Sequence, residues 1–470
     1  MGGLQCAYML AKNGVDVTVL EQASVIGGCL QSFRRGDTLF DTGFHYVGGL
    51  REGESLYPLF RYFNLLDLPW QALDEDCFDE VVIGDRSFAL ATGHERFVET
   101  LAEAFPHERE GLQRYADCLK EVGEHIYDAF LPRDAADFYS SSLFARSAYG
   151  FLTETIHDPL LCKVLSGSSL KLELAKESLP LYVFAQINNS FIQSAWRLRG
   201  GGQQITDRLA SDITAMGGLV RTRANVTRIE EKDGRATGVW INGEEFLEAT
   251  DVICDVHPKE VLRLLADSPS LRRIYRRRIE SLEETYGMFT ANIWLKEGAL
   301  PYLNRNIYVH RADADLWAPD TSSMQSVMVS YYPDQPAIDL LTPMRWSQVS
   351  QWADGRDADY EAFKAEQAEA CIRAVEKRLP ELRGAIDRIY ASTPLTYRRY
   401  THTCDGSAYG IRKDWRSPLT TVLAPRTPIG NVLLTGQNLN LHGVLGVSMT
   451  SVITSAQIIG METLYSQIFK

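Results

Sequence analysis

The chain has 470 residues, 45% of them hydrophobic, enough for two or three domains around a large buried core. Its net charge of −13 and its 61 acidic against 48 basic residues exclude a general nucleic-acid binder, because phosphate binding rests on clustered Lys and Arg. Eight scattered cysteines without a CxxC pair, and nine histidines without an HExxH or Cys/His cluster, argue against a disulfide framework and predict no metal site.

Residues 3 to 14 read GLQCAYMLAKNG, with Leu4, Ala7, Tyr8 and Ala11 at i, i+3, i+4 and i+7. That spacing predicts a short amphipathic helix closed by Gly14. Val15 to Leu20 alternates and is β-branched, which predicts a strand, and Glu21 follows 18 residues after Gly3. Helix, strand and acid in this order make half of a dinucleotide fingerprint. Its last glycine lets the helix pack closely, and the acid accepts hydrogen bonds from ribose hydroxyls. Gly3 and Glu21 take those roles, with Gly2 beside the cofactor.

Residues 27 to 49, GGCLQSFRRGDTLFDTGFHYVGG, carry the pair Gly27-Gly28 and the stretch Phe40-Asp41-Thr42-Gly43-Phe44-His45. This segment resembles the flavoprotein family of phytoene desaturases, carotenoid isomerases and retinol saturases, and HYVGG is especially similar to the saturase and isomerase branch. The resemblance implies an α/β fold: an FAD-binding Rossmann-like domain of the glutathione-reductase type, interleaved with an α+β substrate domain. It also implies FAD as cofactor, with Gly27, Gly28, Asp41 and Gly43 beside it. Relatives carry an apolar strand and two more fingerprint glycines ahead of the position of Gly3. The first strand is therefore expected to be truncated here, which would leave a buried sheet edge unpaired and thin the pyrophosphate site.

Residues 52 to about 195 show long helical periodicities, as in 95–105 and 111–131, and are expected to form a mostly helical cap. An aromatic stretch from Phe138 and Tyr139 through Phe144, Tyr149 and Phe151 is read as helix packing, with a greasy mouth as the alternative. Arg199 and three glycines precede a helix ended by Gly217-Gly218. Strands follow at 219–221, 226–230, 237–241 and 245–248, with Asp233-Gly234 and Asn242-Gly243 as hairpin turns. The resemblance places Val226 against the adenine ring through its backbone. Next come five arginines within 272–278, a solvated helix face or a contact for anionic lipid or a phosphorylated ligand. Strands at 288–295 and 326–332 and a helix at 358–378 complete a second substrate segment.

Tyr397 to His402 and the GSAYG of 406–410 lie near its end. GSAYG resembles a motif of the saturase-like relatives, which implies a place near the flavin for Tyr400, His402 and Tyr409. A buried-strand pattern at 431–435 then runs into Gly436-Gln437, His442, Gly443 and Gly446, and a helix is predicted to about Ser466. The resemblance makes this the third flavin segment, with Gln437 in place of the usual acid and the helix's positive end at the flavin. The domain reading is 1–75, 196–265 and 416–470 for FAD, 76–195 for the cap and 266–415 for the substrate domain.

The expected function is an FAD-dependent oxidoreductase that saturates, desaturates or isomerises a lipophilic polyene. His45, Tyr400, His402 and Tyr409 are the candidate catalytic residues, His45 as hydrogen-bond donor or proton source. NAD(P)H, quinone and oxygen all stand as redox partner. The alternatives are an amine-oxidase-like enzyme and an inactive truncated fragment that binds no FAD. With no run of 18 apolar residues and no signal-peptide pattern, the expected location is the cytoplasm, free or peripheral to a membrane.

Overall fold

The computed structural model describes residues 1–130, 139–318 and 321–470. Short β-branched runs become strands where both faces can be covered, and periodic runs become the helices that cover them. Thr18–Leu20 pairs in parallel with Leu219–Arg221, and Val252–Cys254 pairs in parallel with Val432–Leu434. The two pairs share no ladder with each other; helix Gly2–Lys12 packs against a strand of each. This helix also packs on helices Gln203–Ala215 and Gly443–Ile459, so segments from both ends and the middle of the chain build one doubly wound α/β unit. Gln5 Nε2 donates to Ser448 Oγ at 2.7 Å, and the Cys6 thiol faces the Ser451 carbonyl at 3.6 Å. The helix predicted to reach Ser466 breaks at Gly460 (φ 95°), and Met461–Phe469 turns back onto helix Tyr57–Tyr62.

Val226–Lys232, Arg235–Ile241 and Glu245–Glu248 form an antiparallel meander. Its predicted turns hold left-handed pairs, Asp233 and Gly234 at φ 53° and 79° and Asn242 and Gly243 at 53° and 80°, as a type I′ hairpin requires. Leu219–Arg221, expected to open the meander, lies elsewhere. Gly217 (φ 91°) turns the chain out of the preceding helix and lays that strand alongside Thr18–Leu20.

A second sheet runs in the order Ile386–Ser392, Gly287–Leu295, Ala337–Met344, Ser326–Tyr331, Asn306–His310, Asp79–Ile83, Arg86–Leu90. Its last two strands come from the region expected to be helical. Asp79–Ile83 is buried at every position, which erases the alternation a half-buried strand would show, and it pairs in parallel with Asn306–His310. Helix Ala358–Val375 covers one face of the sheet, and the cap helices, among them Arg109–Glu124 and Leu181–Gln193, enclose the core on the other. Phe138 and the Tyr139 side chain lie outside the described residues, whereas Phe144 and Phe151 are buried in that core and Tyr149 packs on Trp317 at 5.3 Å. Within the arginine helix, Arg273–Glu280, Arg276 donates to the carbonyls of Leu265 and Ala266 at 2.9 Å and Arg278 to that of Leu419 at 2.7 Å. Two of the five cations are thus committed to the backbone. Among the described residues no helix is long and apolar enough to cross a membrane.

Candidate active site

A cavity of roughly 1650 Å³ runs between the doubly wound unit and the seven-stranded sheet. It exceeds the ~300–1,000 Å³ usual for one drug-sized ligand. At its outer end Glu21 follows strand Thr18–Leu20 and faces the cavity; one of its carboxylate oxygens accepts from Ala23 N at 2.8 Å. Val226 lines the same end, where a β-bulge bends the start of its strand. Gly2, Gly3, Gly27, Gly28 and Gly43 line the floor. Asp255, just after strand Val252–Cys254, accepts from Gly3 N at 2.7 Å and lies 3.7 Å from the Met1 α-amino group. A carboxylate thus sits at the positive end of the first helix.

Opposite, Gln437, Gly443, Val444 and Leu445 face the cavity. His442 precedes helix Gly443–Ile459 but does not cap it; its Nε2 lies 3.1 Å from the Lys171 carbonyl instead. The positive end of a 17-residue helix therefore opens into the cavity.

Three residues expected at the cofactor do not line this space. Asp41 is buried and accepts from Ser32 Oγ at 2.6 Å and Gly202 N at 2.9 Å, clamping a hairpin to the Gly200–Gly202 turn; burial raises its pKa to about 6. Gly436 makes room for the Asp255 carboxylate, and a Cβ at Gly446 would stand 2.7 Å from Leu441 Cβ. Both glycines serve close packing just outside the cavity.

The candidate catalytic residues separate in space. Tyr400 is 52% exposed and His402 is exposed in a left-handed conformation, so both stand at the rim. Tyr409 lies inside, its hydroxyl donating to the Leu170 carbonyl and its ring 4.6 Å from that of His442. His45 also faces the cavity, with Nδ1 3.8 Å from Asp339 Oδ2. Burial, then the Arg197 charge, lowers its pKa to about 4. Burial thus favours the neutral imidazole at pH 7, the form suited to the first of the two roles expected of it, hydrogen-bond donor rather than proton source.

Asp339 behaves in the opposite sense. Burial raises its pKa to about 7 although Tyr332 and Asn292 donate to it. An acid whose folded pKa is raised favours the folded state most below its unfolded value near 3.8, and loses that contribution as pH rises through about 7. Asp339→Asn is expected to flatten the fall in Tm between pH 5 and pH 8, read by thermal melts at both; an unchanged slope would place the titration elsewhere.

The sequence reading missed a buried polar group at the inner wall: Lys171 and Tyr46 face the cavity, with Asp79 and Tyr308 behind them. Tyr46 OH lies 2.8 Å from Asp79 Oδ2 and 2.6 Å from Tyr308 OH, and Lys171 Nζ lies 3.7 Å from the same carboxylate oxygen. The available signal was a lone lysine between Leu170 and Leu172. Elsewhere, His257, Glu284 and Cys404 bring potential metal ligands within 4.8 Å of one another, but Lys259 Nζ already stands 3.2 Å from Glu284 Oε1 and supplies the positive charge there.

The family model for flavin containing amine oxidoreductase matches residues 1–459. The chain belongs to that family. Within it, the chain is 26% identical to the all-trans-retinol 13,14-reductase of Rattus norvegicus, over 100% of this chain and 85% of that protein. It is 23% identical to prolycopene isomerase 2, chloroplastic, of an Oncidium hybrid cultivar, over 87% and 73%. Among solved structures, putrescine oxidase bound to putrescine superposes with a TM-score of 0.64 at 17% identity, covering 97% of this chain and 96% of that one. This flavin-containing oxidoreductase takes FAD as cofactor, and the uncapped end of helix Gly443–Ile459 beside a glycine-lined floor fits an anionic dinucleotide.

Proposed function

We propose that the chain is an FAD-dependent oxidoreductase acting on a C=C bond of a lipophilic polyene, in the saturating or isomerising sense. One observation carries the reading: the inner half of the cavity is walled by Leu170, Ile187, Phe191, Met288, Met328 and Leu341, a surface suited to a long apolar chain and to excluding water. The names of the reductase and isomerase relatives point the same way.

In this reading Glu21 holds the ribose hydroxyls, the Val226 backbone meets the adenine, and Gly2, Gly3, Gly27, Gly28 and Gly43 let the backbone approach the dinucleotide. Gln437 and the first amides of helix Gly443–Ile459 take its flavin end. Bound FAD supplies hydride transfer. Tyr409 and His442 form a fixed aromatic wall that orients the polyene, His45 offers it a neutral imidazole N–H, and Tyr400 and His402 line the entrance. Ile274 and Leu419 are 78% and 90% exposed, the Leu419 carbonyl meets Arg278 on the arginine helix, and Arg272, Arg273 and Arg277 are exposed there; we assign that patch to peripheral contact with anionic lipid.

Glu21→Ala is expected to weaken FAD binding about 10- to 100-fold, the worth of a charge-assisted hydrogen bond of ~1.5–3 kcal/mol, in titrations of apoprotein by flavin fluorescence. The function itself is tested by incubating the holoenzyme, with reductant or acceptor (pyridine nucleotide, quinone or oxygen), with all-trans-retinol and a carotenoid, and in parallel with putrescine. Loss or shift of the polyene absorbance supports the reading. Flavin reduction by putrescine without change in either polyene would replace it with amine oxidation.

A further inference from the structure

We infer that Lys171 anchors a terminal carboxylate of the substrate, so that the preferred polyene is an acid; this rests on the polyene reading above and narrows it. Lys171 closes the short turn Ser169–Lys171, and its side chain is only 10% exposed. It lines the inner cavity together with Tyr46 and Phe191, whose ring centroids lie 6.0 and 4.4 Å from Nζ.

An ammonium carries three donors. Among the described residues Nζ has one hydrogen bond, to Ser168 Oγ at 3.2 Å. Asp79 stands 3.7 Å away, beyond direct hydrogen-bond range, and its two oxygens already accept from Tyr46 OH at 2.8 Å and Asn306 Nδ2 at 2.9 Å. Lys171 is left with donors to offer a ligand in the cavity.

The charge balance points to the kind of ligand. Arg197, itself 3% exposed, is the second cation that acts on Asp79, and its guanidinium bonds end on neutral groups, Tyr302 OH at 3.0 Å and Asn306 Oδ1 at 2.7 Å. Two buried cations thus share one carboxylate. Buried charge is retained where it is paired, and an anion at Lys171 Nζ completes the second pair. A hydroxyl would satisfy a donor but not the charge, and a hydrocarbon end would satisfy neither. Burial lowers the lysine's pKa to about 8 against the pull of Asp79, and the group still carries its charge at pH 7.

The test is quenching of tryptophan fluorescence in the FAD-loaded protein by three probes on one skeleton: all-trans-retinoic acid, all-trans-retinol and the hydrocarbon lacking the terminal oxygen. Wild type is expected to bind the acid at least ~10-fold more tightly than the other two, a difference of about 1.4 kcal/mol. Lys171→Met should abolish that preference while leaving hydrocarbon affinity unchanged, which also reports an intact cavity, and Lys171→Arg should keep it. Equal affinities for the three probes in wild type, or a preference that survives Lys171→Met, would overturn the anchor and leave the polyene reading standing. Failure of wild type to bind any of the three would overturn both.

Discussion

Asp79→Ala is expected to destabilise the fold by about 3–5 kcal/mol, the penalty for leaving buried charge uncompensated. Asp79 opens the strand Asp79–Ile83 and is fully buried. Four side chains depend on it: Tyr46 and Asn306 by hydrogen bonds, and Lys171 and Arg197 by charge. Alanine removes an acceptor from the first two and, among the described residues, the carboxylate that the other two share. Asp79→Asn keeps the shape and one acceptor, so it should lose less. Urea unfolding would show the difference as a fall in midpoint at constant slope. An unchanged midpoint for the alanine variant would mean that both cations reach solvent.

The second large effect is steric. Gly48 lies where strand Val47–Gly48 crosses helix Leu181–Gln193, and a Cβ there would collide with the Ser190 carbonyl group and stand 2.6 Å from Phe191 N. The obstacle is backbone, which cannot rotate aside as a side chain can. Gly48→Val should therefore cost about 3 kcal/mol, the upper part of the usual overpacking range. It should also push Ile187, Ser190 and Phe191, all cavity-lining, into the substrate space. Thermal melts would report the first consequence and polyene binding the second. A normal Tm would show that strand and helix separate at no cost.

What could be read from the sequence follows how local its cause is. The meander was legible because Asp233-Gly234 and Asn242-Gly243 fix their own turns, and the first helix because its stripe and closing glycine are contiguous. That Glu21 faces the cavity was legible from the spacing of helix, strand and acid, and that Gln437 and Gly443 do so from the resemblance. Asp41, Gly436 and Gly446 belong to the same motifs yet do not face the cavity, because close packing selects those residue types just outside it as well. The parallel pairing of Asp79–Ile83 with Asn306–His310 leaves no mark within either segment. Lys171 was illegible for the same reason, as its meaning depends on Asp79, Asn306 and Arg197, three distant points of the chain.

The bond from Gln5 to Ser448 spans 443 positions, and that separation sets an order of events during synthesis. At the ~5–20 residues per second of translation, the first helix waits roughly 20 to 90 seconds for Gly443–Ile459, the later of the two helices it packs on. In that interval the cap helices and the meander, whose contacts are mostly local, can already form. The cleft, built from segments this far apart, therefore cannot close before residues 443–459 have been made.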